Sequence, residues 1–314
     1  MRFRFILADV FTDRIFGGNP LAVFPHAAGL DARVMQRLAA EIGFSETVFV
    51  FPSEKPTLQG SFNRRLRIFT PGIELPFAGH PTVGAAYVLA ATGEVPLVSE
   101  TTPLVFEEGV GPVEVTIHSE DGRPVFARFS AAQTPVYDQP PFSSAEIAAL
   151  LSLEAEDLLL GDYPPQAVSC GVPFLFVPLR GLEAVGRAQL VQDLWERTLA
   201  SYWAPHVYVI TLETSTPQAQ IHARMFAPAM GIREDPATGA AATALAGYLG
   251  VRQGPEEGLV AWTIEQGFEM GRPSFIEVEA GRSGGRVTAI RVGGRSVITG
   301  EGSFDLPDAV LFGD

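Results

Sequence analysis

Cysteine is almost absent from this chain: Cys170 is the only one in 314 residues. No internal disulfide can form, no Cys-rich zinc site exists, and chemistry that needs two protein thiols is excluded. Lysine is as scarce. Lys55 is the single one, in the loop-like stretch "FPSEKPT", where it is expected to be solvated. A pyridoxal-phosphate enzyme needs a Schiff-base lysine inside a pocket, so that class is set aside. Positive charge is in deficit as well. A net charge of -14 argues against a nucleic acid or an anionic membrane as partner, since both are polyanions that need a basic footprint. No apolar run is long enough to span a bilayer. The start, "MRFRFILADVFTDRIFGG", alternates like a strand and reaches Asp9 and Asp13 too soon for a signal peptide. The expectation is a soluble, cytoplasmic protein.

What the chain does have is core material. Hydrophobic residues make up 46 % and charged residues 18 %, which suits packed domains and argues against disorder. The length suits two domains of about 150 residues each.

The sequence also repeats itself. "GGNPLAVFP" matches "CGVPFLFVP", with Gly18 against Gly171. "FTPGIELPFAGHPTVGAAYVLAATG" from Phe69 matches "FAPAMGIREDPATGAAATALAGYLG" from Phe226. "FEEGVGPVEVTI" resembles "IEQGFEMGRPSFIEV", with Glu107 against Glu265. The offsets run only from 153 to 158 and the order is kept, as in an internal duplication with loop insertions. Each half reads as two strands around a Gly-x-Pro turn, then a helix, two more strands, a turn, a small-residue helix and a closing hairpin. The first helices are expected over "DARVMQRLAAEIG", with Asp31 as N-cap, and over "RAQLVQDLWERTLA". The expected domains are 1–131 and 143–314, joined by a Pro-rich linker at 132–142. The terminal "SVITGEGSFDL" is a strand able to return to the first half.

"PTVGAAYVLAATG" and "PATGAAATALAGYLG" carry almost no charge, so each helix is expected to be buried all round inside a curved sheet. The two halves would then face each other across a cleft, a favoured place for a small-molecule site. Pro81 and Pro236 read as first-turn prolines, which makes His80 and Asp235 N-caps. Two helix N-termini aimed at one ligand would suit an anion, most simply a carboxylate. Gly79 and Gly239 would let that ligand approach the backbone. An Asp before Pro is also an ordinary helix start, so the residue type alone leaves both readings open. Glu46, in "GFSETVFVF", stands at the mouth of an apolar strand. Desolvation there would raise its pKa toward the range of a general acid/base, although a solvated strand-start Glu reads the same way. Its counterpart falls near Pro205 and His206, so the halves differ at that point. His26, His118, His206 and His222 show no metal-ligand spacing. Glu234 beside Asp235 reads as capping and solvation, and no metal or cofactor is expected.

Four stretches together, "DVFTDRIFGGNPLAVF", "GFSETVFV", "RIFTPGIELPFAGHPTVGAAYVL" and "REDPATGAAATALAGYL", resemble the phenazine-biosynthesis PhzF-like isomerases. The resemblance runs from Asp9 to "GFEMGRPS". It implies an α+β, diaminopimelate-epimerase-like fold of two pseudo-symmetric domains, each a barrel of strands around a helix. The cysteines of related epimerases fall on Gly79 and Asp235. The family's acid/base glutamate falls on Glu46, and the histidine and aspartate near its reacting centre on His80 and Asp235. Backbone groups for the substrate carboxylate fall on Gly79, His80, Gly239 and Ala240, and Asn19 matches a polar position lining the site. Ala240 stands where the phenazine enzyme has serine, which keeps a backbone N–H and removes a hydroxyl. The function implied is a cofactor-independent proton-shift isomerase of a small carboxylate-bearing metabolite. Epimerisation by Glu46 with Asp235, or ligand binding without catalysis, are the alternatives. The family also implies a homodimer.

Overall fold

Residues 1–54, 62–307 and 310 are described in the computed structural model. Lys55 lies outside the described residues. The chain forms two units, Met1–Ser130 with Gly293–Asp314, and Ala131–Val292.

The first unit begins with β1 (Arg2–Val10), β2 (Asn19–Phe24), α1 (Ala32–Ile42), β3 (Glu46–Pro52), β4 (Phe62–Phe69) and the short β5 (Glu74–Leu75). It continues with α2 (Gly79–Ala91), β6 (Thr101–Glu108), β7 (Gly111–Glu120) and β8 (Arg123–Ser130). The second unit holds β9 (Val136–Asp138), α3 (Ser144–Leu150), β10 (Gln166–Ser169), β11 (Pro173–Pro178), α4 (Leu182–Arg187), α5 (Gln192–Thr198), β12 (His206–Thr211) and β13 (Ile221–Ala227). There follow β14 (Ile232–Asp235), α6 (Gly239–Gly250), β15 (Gly258–Gln266), β16 (Ser274–Ser283) and β17 (Arg286–Gly294). The last strand, β18 (Ser296–Asp305), pairs antiparallel with β1 and so lies in the first unit. The stretch read as a linker is part of the second unit, where β9 pairs with β10.

The sequence repeat is a repeat of strand pairing. In the first unit β1–β2 is antiparallel, β2–β3 parallel, β3–β4 and β4–β5 antiparallel, β4–β6 parallel and β6–β7 antiparallel. In the second, β10–β11, β11–β12, β12–β13, β13–β14, β13–β15 and β15–β16 follow the same directions in the same order. Gly18 and Gly171, in the matched turns, both have positive φ, at 60° and 124°. At Gly18 a Cβ would also stand 2.2 Å from the Val10 carbonyl oxygen, so only glycine fits there.

The helices follow from local chemistry. Asp31 accepts the Val34 N–H to start α1, and Gly43, left-handed at φ 70°, ends it. One face of α1, with Val34, Met35, Leu38 and Ala39, packs on Phe24, Phe49 and Phe69. In α2 all residues but Tyr87 and Ala91 are buried, and in α6 all but Ala240. The helix expected over "RAQLVQDLWERTLA" begins only at Gln192. The N–H groups of Gln189 and Val191 bond to the carbonyls of Leu151 and Leu150 instead, which holds that stretch out of the helix.

Candidate active site

The helix starts correct the sequence reading. The N-cap of α2 is Ala78 and that of α6 is Thr238. His80 is therefore the second residue of α2, and Asp235 ends β14, three residues before the α6 cap. Register identifies the matched positions: Ile68 faces Leu75 in the β4–β5 pair, and Met225 faces Asp235 in the β13–β14 pair. So "LPFAGH" aligns with "DPATGA", Asp235 matches Leu75, and His80 matches Ala240. The two polar residues are not copies of one position. Each unit has its own polar group near the helix start.

In the first unit that group is Glu46, His80 and Asn19. Glu46 opens β3 at 8 % exposure, and its Oε2 lies 3.5 Å from Nε2 of His80. Burial holds the His80 imidazole neutral, with its pKa lowered to about 3, against an opposing hydrogen bond to the Pro20 backbone. The contact with Glu46 is thus one between a carboxyl group and a neutral ring, not an ion pair. The neutral ring has one N–H and one lone pair to divide among Pro20, Asn19 and Glu46. The amide of Asn19 lies 3.3 Å from Nδ1, and Asn19 Oδ1 accepts from Ser45 Oγ at 3.0 Å. Ala78 supplies no side-chain cap, so the first-turn N–H groups of Gly79 and His80 have no intrahelical acceptor and no cap side chain.

Behind this turn sits Glu108, which sequence reasoning missed. Thr82 Oγ1 is 2.9 Å from the Ala78 carbonyl and 2.8 Å from Glu108 Oε1. Burial pushes the Glu108 carboxyl up to about 8, with the Thr82 bond opposing. Thr82 Oγ1 has one proton for the Ala78 carbonyl and the Glu108 carboxyl, and so joins the acid to the start of α2. The acid steadies the cap of α2.

In the second unit Asp235 is 5 % exposed, and its Oδ2 accepts from Thr238 Oγ1 at 2.6 Å. The side chain of Thr238 is thereby used on Asp235 and does not cap α6. Gln266, fully buried, ties the turn together. Its Nε2 donates to the Asp235 carbonyl at 2.7 Å and to Thr238 Oγ1 at 3.1 Å. Its Oε1 accepts from Tyr208 Oη at 2.9 Å and from the Thr238 N–H at 3.2 Å. Burial first, and then the charge of Asp235, push the Tyr208 hydroxyl upward, so it stays a donor. Gln266 and Tyr208 were also missed. The signal was present: the "FEEG" and "IEQG" match sets Glu108 against Gln266, each before a glycine pressed on a proline. A Cβ on Gly109 would lie 2.7 Å from Pro76 Cα, and one on Gly267 2.5 Å from the Pro236 oxygen.

Other expectations resolve differently. Glu234, read as capping and solvent, is bound by two bonds to Arg224, at 2.8 and 2.9 Å, and joins β14 to β13. The same pair recurs as Arg67 with Glu74, at 2.7 and 2.6 Å, joining β4 to β5. Cavities of about 550 and 590 Å³ border these pairs, one in each unit; Glu46, His80 and Asp235 line neither. Burial pushes the Cys170 thiol up to about 12, which makes it a poor nucleophile. Among the described residues no group of three or more His, Cys, Asp or Glu is placed to hold a metal ion. No described helix is long and apolar enough to cross a membrane.

The chain is similar to known proteins over nearly its whole length. The family model described as phenazine biosynthesis-like protein matches residues 8–302. An uncharacterized isomerase of Mesorhizobium japonicum is 40 % identical over 302 residues, covering 95 % of this chain and 97 % of its own. A trans-2,3-dihydro-3-hydroxyanthranilate isomerase of Pseudomonas aeruginosa is 34 % identical, across 95 % of this chain and 98 % of that one. A solved phenazine biosynthesis protein of the PhzF family from Bacillus anthracis matches with a TM-score of 0.87 at 26 % identity, covering 98 % of this chain and all of that one. The fold is α+β and diaminopimelate-epimerase-like. With almost its whole length inside the family model and its relatives named isomerases, the chain belongs to the phenazine biosynthesis-like family and is an isomerase.

Proposed function

We propose that the protein is a cofactor-independent isomerase of a small carboxylate-bearing metabolite, with Glu46 as the general acid/base. The observation that carries this reading is the buried contact of Glu46 with neutral His80 in the first turn of an uncapped, buried helix. A carboxylate held there can take a proton from carbon. Once protonated, it can return the proton at another carbon of the conjugated system. No net oxidation or group transfer is involved.

The N–H groups of Gly79 and His80 would hold the substrate carboxylate, because a helix N-terminus combines free donors with partial positive charge. Gly239 and Ala240, at the start of α6, would bind a carboxylate in the same way, and Asp235 would stabilise or relay charge. Asn19 would fix the ring of His80. The relative named for trans-2,3-dihydro-3-hydroxyanthranilate makes that compound the first substrate to try. Positioned acid/base catalysis contributes about 10²–10⁴-fold. Glu46→Gln should therefore lower kcat by at least about 10²-fold, and a variant with wild-type kcat would sink the role. Inversion at a stereocentre, in place of a shifted double bond, would identify epimerisation.

A further inference from the structure

His222 occupies in the second unit the place that Arg65 occupies in the first. In the strand ladders Arg65 of β4 lies between Phe51 of β3 and Glu107 of β6. His222 of β13 lies between Thr211 of β12 and Glu265 of β15. Phe51 and Thr211 are each the sixth residue of their strand, and Glu107 and Glu265 match in the repeat, so the register is the same. The two glutamates also do the same work. Glu107 accepts from Ser53 Oγ and the Glu54 N–H, at 2.5 and 3.1 Å, just after β3. Glu265 accepts from the N–H groups of Ser215 and Thr216, at 2.5 and 3.1 Å, just after β12. The cation beside them differs. Arginine keeps its charge at every physiological pH, whereas histidine is charged only while protonated.

Both ring nitrogens of His222 meet carboxylates. Nδ1 lies 2.7 Å from Glu265 Oε1, and Nε2 lies 2.9 Å from Glu269 Oε1. Carboxylate oxygens accept, so both contacts are hydrogen bonds only in the imidazolium, which has two N–H groups. A neutral ring has one. The side chains of His222 and Glu265 are 1 and 0 % exposed, while that of Glu269 is 23 % exposed. A ring left with one proton therefore keeps it on Glu265, which water cannot reach, and turns a lone pair toward Glu269, which water can. The other charged groups nearby are few. Arg224, two residues along β13, is bound to Glu234 of β14 and helps to hold the Glu269 pKa down. Arg272 is the other charged residue next to Glu269 in sequence, and Thr211 of β12 is neutral. On α4, Arg187 pairs with Asp157 and Glu183 is exposed. Burial alone would lower the His222 pKa, but the hydrogen bonds and charges of Glu269 and Glu265 outweigh it and leave it above the ordinary 6.5.

The turn that carries Glu269 holds the start of α6. Gln266, just before it, binds the Asp235 carbonyl and both the N–H and the hydroxyl of Thr238. Ser274 Oγ, just after it, lies 3.0 Å from the Pro236 carbonyl oxygen. Gly267 is pressed on that same carbonyl, and its own carbonyl accepts from the N–H groups of Met270 and Arg272. The ring of Phe268 stands edge-on to His222, with centroids 5.6 Å apart. Glu269 fastens this turn to β13.

We propose that His222 is a pH-operated clasp: its imidazolium fastens Glu269 to β13, and loss of the Nε2 proton frees Glu269, loosening residues 267–273 and with them the start of α6. The clasp is closed below pH 6.5 and opens as pH rises through the raised pKa of the ring. It lies wholly within the second unit and operates whether or not Glu46 is the acid/base. Duplication gave both units a cation at this register, permanent as Arg65 in one and titratable as His222 in the other.

The test is nitrogen NMR of the histidine rings together with amide hydrogen exchange, across about pH 5.5–9.5, on wild type, Glu269→Ala and Glu269→Gln. His222→Gln identifies the ring signal. In wild type, His222 is expected to carry protons on both nitrogens at pH 6.5 and to titrate above it. Protection factors of the Met270, Arg272, Thr238 and Ala242 amides should fall at least about tenfold across that midpoint, the worth of one charged hydrogen bond. Glu269→Ala should show the low protection at every pH and a lower His222 midpoint. Glu269→Gln, whose amide can donate to a neutral ring or accept from a charged one, should show no step with pH. A wild-type midpoint at or below 6.5 would overturn the inference, and so would protection that stays level across the midpoint. The wild-type titration decides by itself should a variant fail to fold.

Discussion

Nε2 of His80 faces Oε2 of Glu46 at 3.5 Å, and both side chains are almost without solvent. The ring is neutral because burial penalises the imidazolium more than its surroundings reward it. In the proposed reaction a neutral His80 orients Glu46, and Glu46 carries the proton.

His80 should accordingly stay uncharged throughout the physiological range. A ring-nitrogen NMR titration is expected to place its midpoint below pH 5, and the pH–rate profile should show no limb from it between pH 5 and 8. A His80 midpoint near 6.5, the ordinary imidazole value, would mean that the ring is more hydrated than its 4 % exposure implies.

Glu108 makes stability depend on pH in the direction opposite to an ion-paired carboxylate. Its pKa is raised from 4.5 to about 8 in the folded state. Between those values the folded chain keeps a proton that the unfolded chain releases, so its contribution falls as pH rises through that window. One proton can account for at most about 1.4 kcal/mol per pH unit. Glu108→Gln removes this term. Urea midpoints at pH 5, 6.5 and 8 should show the variant gaining on wild type as pH rises, and parallel curves would refute the assignment.

Arg224 and Arg67 test how burial sets the worth of one ion pair built twice. Side-chain exposures are 9 and 17 % for Arg224 and Glu234, against 25 and 40 % for Arg67 and Glu74. Arg224 also donates to the carbonyls of Val185 and Ala188. Arg224→Met should cost about 3–5 kcal/mol, since it strands a largely buried carboxylate. Arg67→Met should cost about 1 kcal/mol or less, because solvent can take over. Equal losses in chemical denaturation would contradict this ranking.

Gly84, inside α2, is a place where alanine should do harm despite its better helix propensity. A Cβ there would lie 2.5 Å from Leu21 Cδ2 and 2.6 Å from Val10 Cγ2. Both neighbours are fully buried and have nowhere to swing. Gly84→Ala is expected to lose about 1–3 kcal/mol by overpacking, outweighing a propensity gain of about 1 kcal/mol. A rise in melting temperature would show that β1 and β2 can retreat from the helix.

Much of this was legible in the sequence because it is local or repeated. Asp31 and Gly43 bracket α1 as their residue types require, and the near-absence of charge marked α2 and α6 as buried. Glu46, His80 and Asn19 were nominated, and the fold brings them together. What escaped depended on register. Matching residues by their neighbouring proline set His80 against Asp235, while the β4–β5 and β13–β14 ladders set His80 against Ala240. Glu108 and Gln266 looked like ordinary strand ends, because the turn that they hold is distant in sequence. His206 was noted only as the place where the halves differ. The β2–β3 and β11–β12 ladders show that this difference falls at one equivalent position.

The most direct test of the central claim is proton NMR in D₂O of trans-2,3-dihydro-3-hydroxyanthranilate with wild type and with Glu46→Gln. The account predicts isomerisation with deuterium incorporated at carbon by wild type, and neither product nor exchange at a comparable rate in the variant. Equal isomerisation and exchange by both proteins would contradict it, and the proton would then have to be carried by a group other than Glu46.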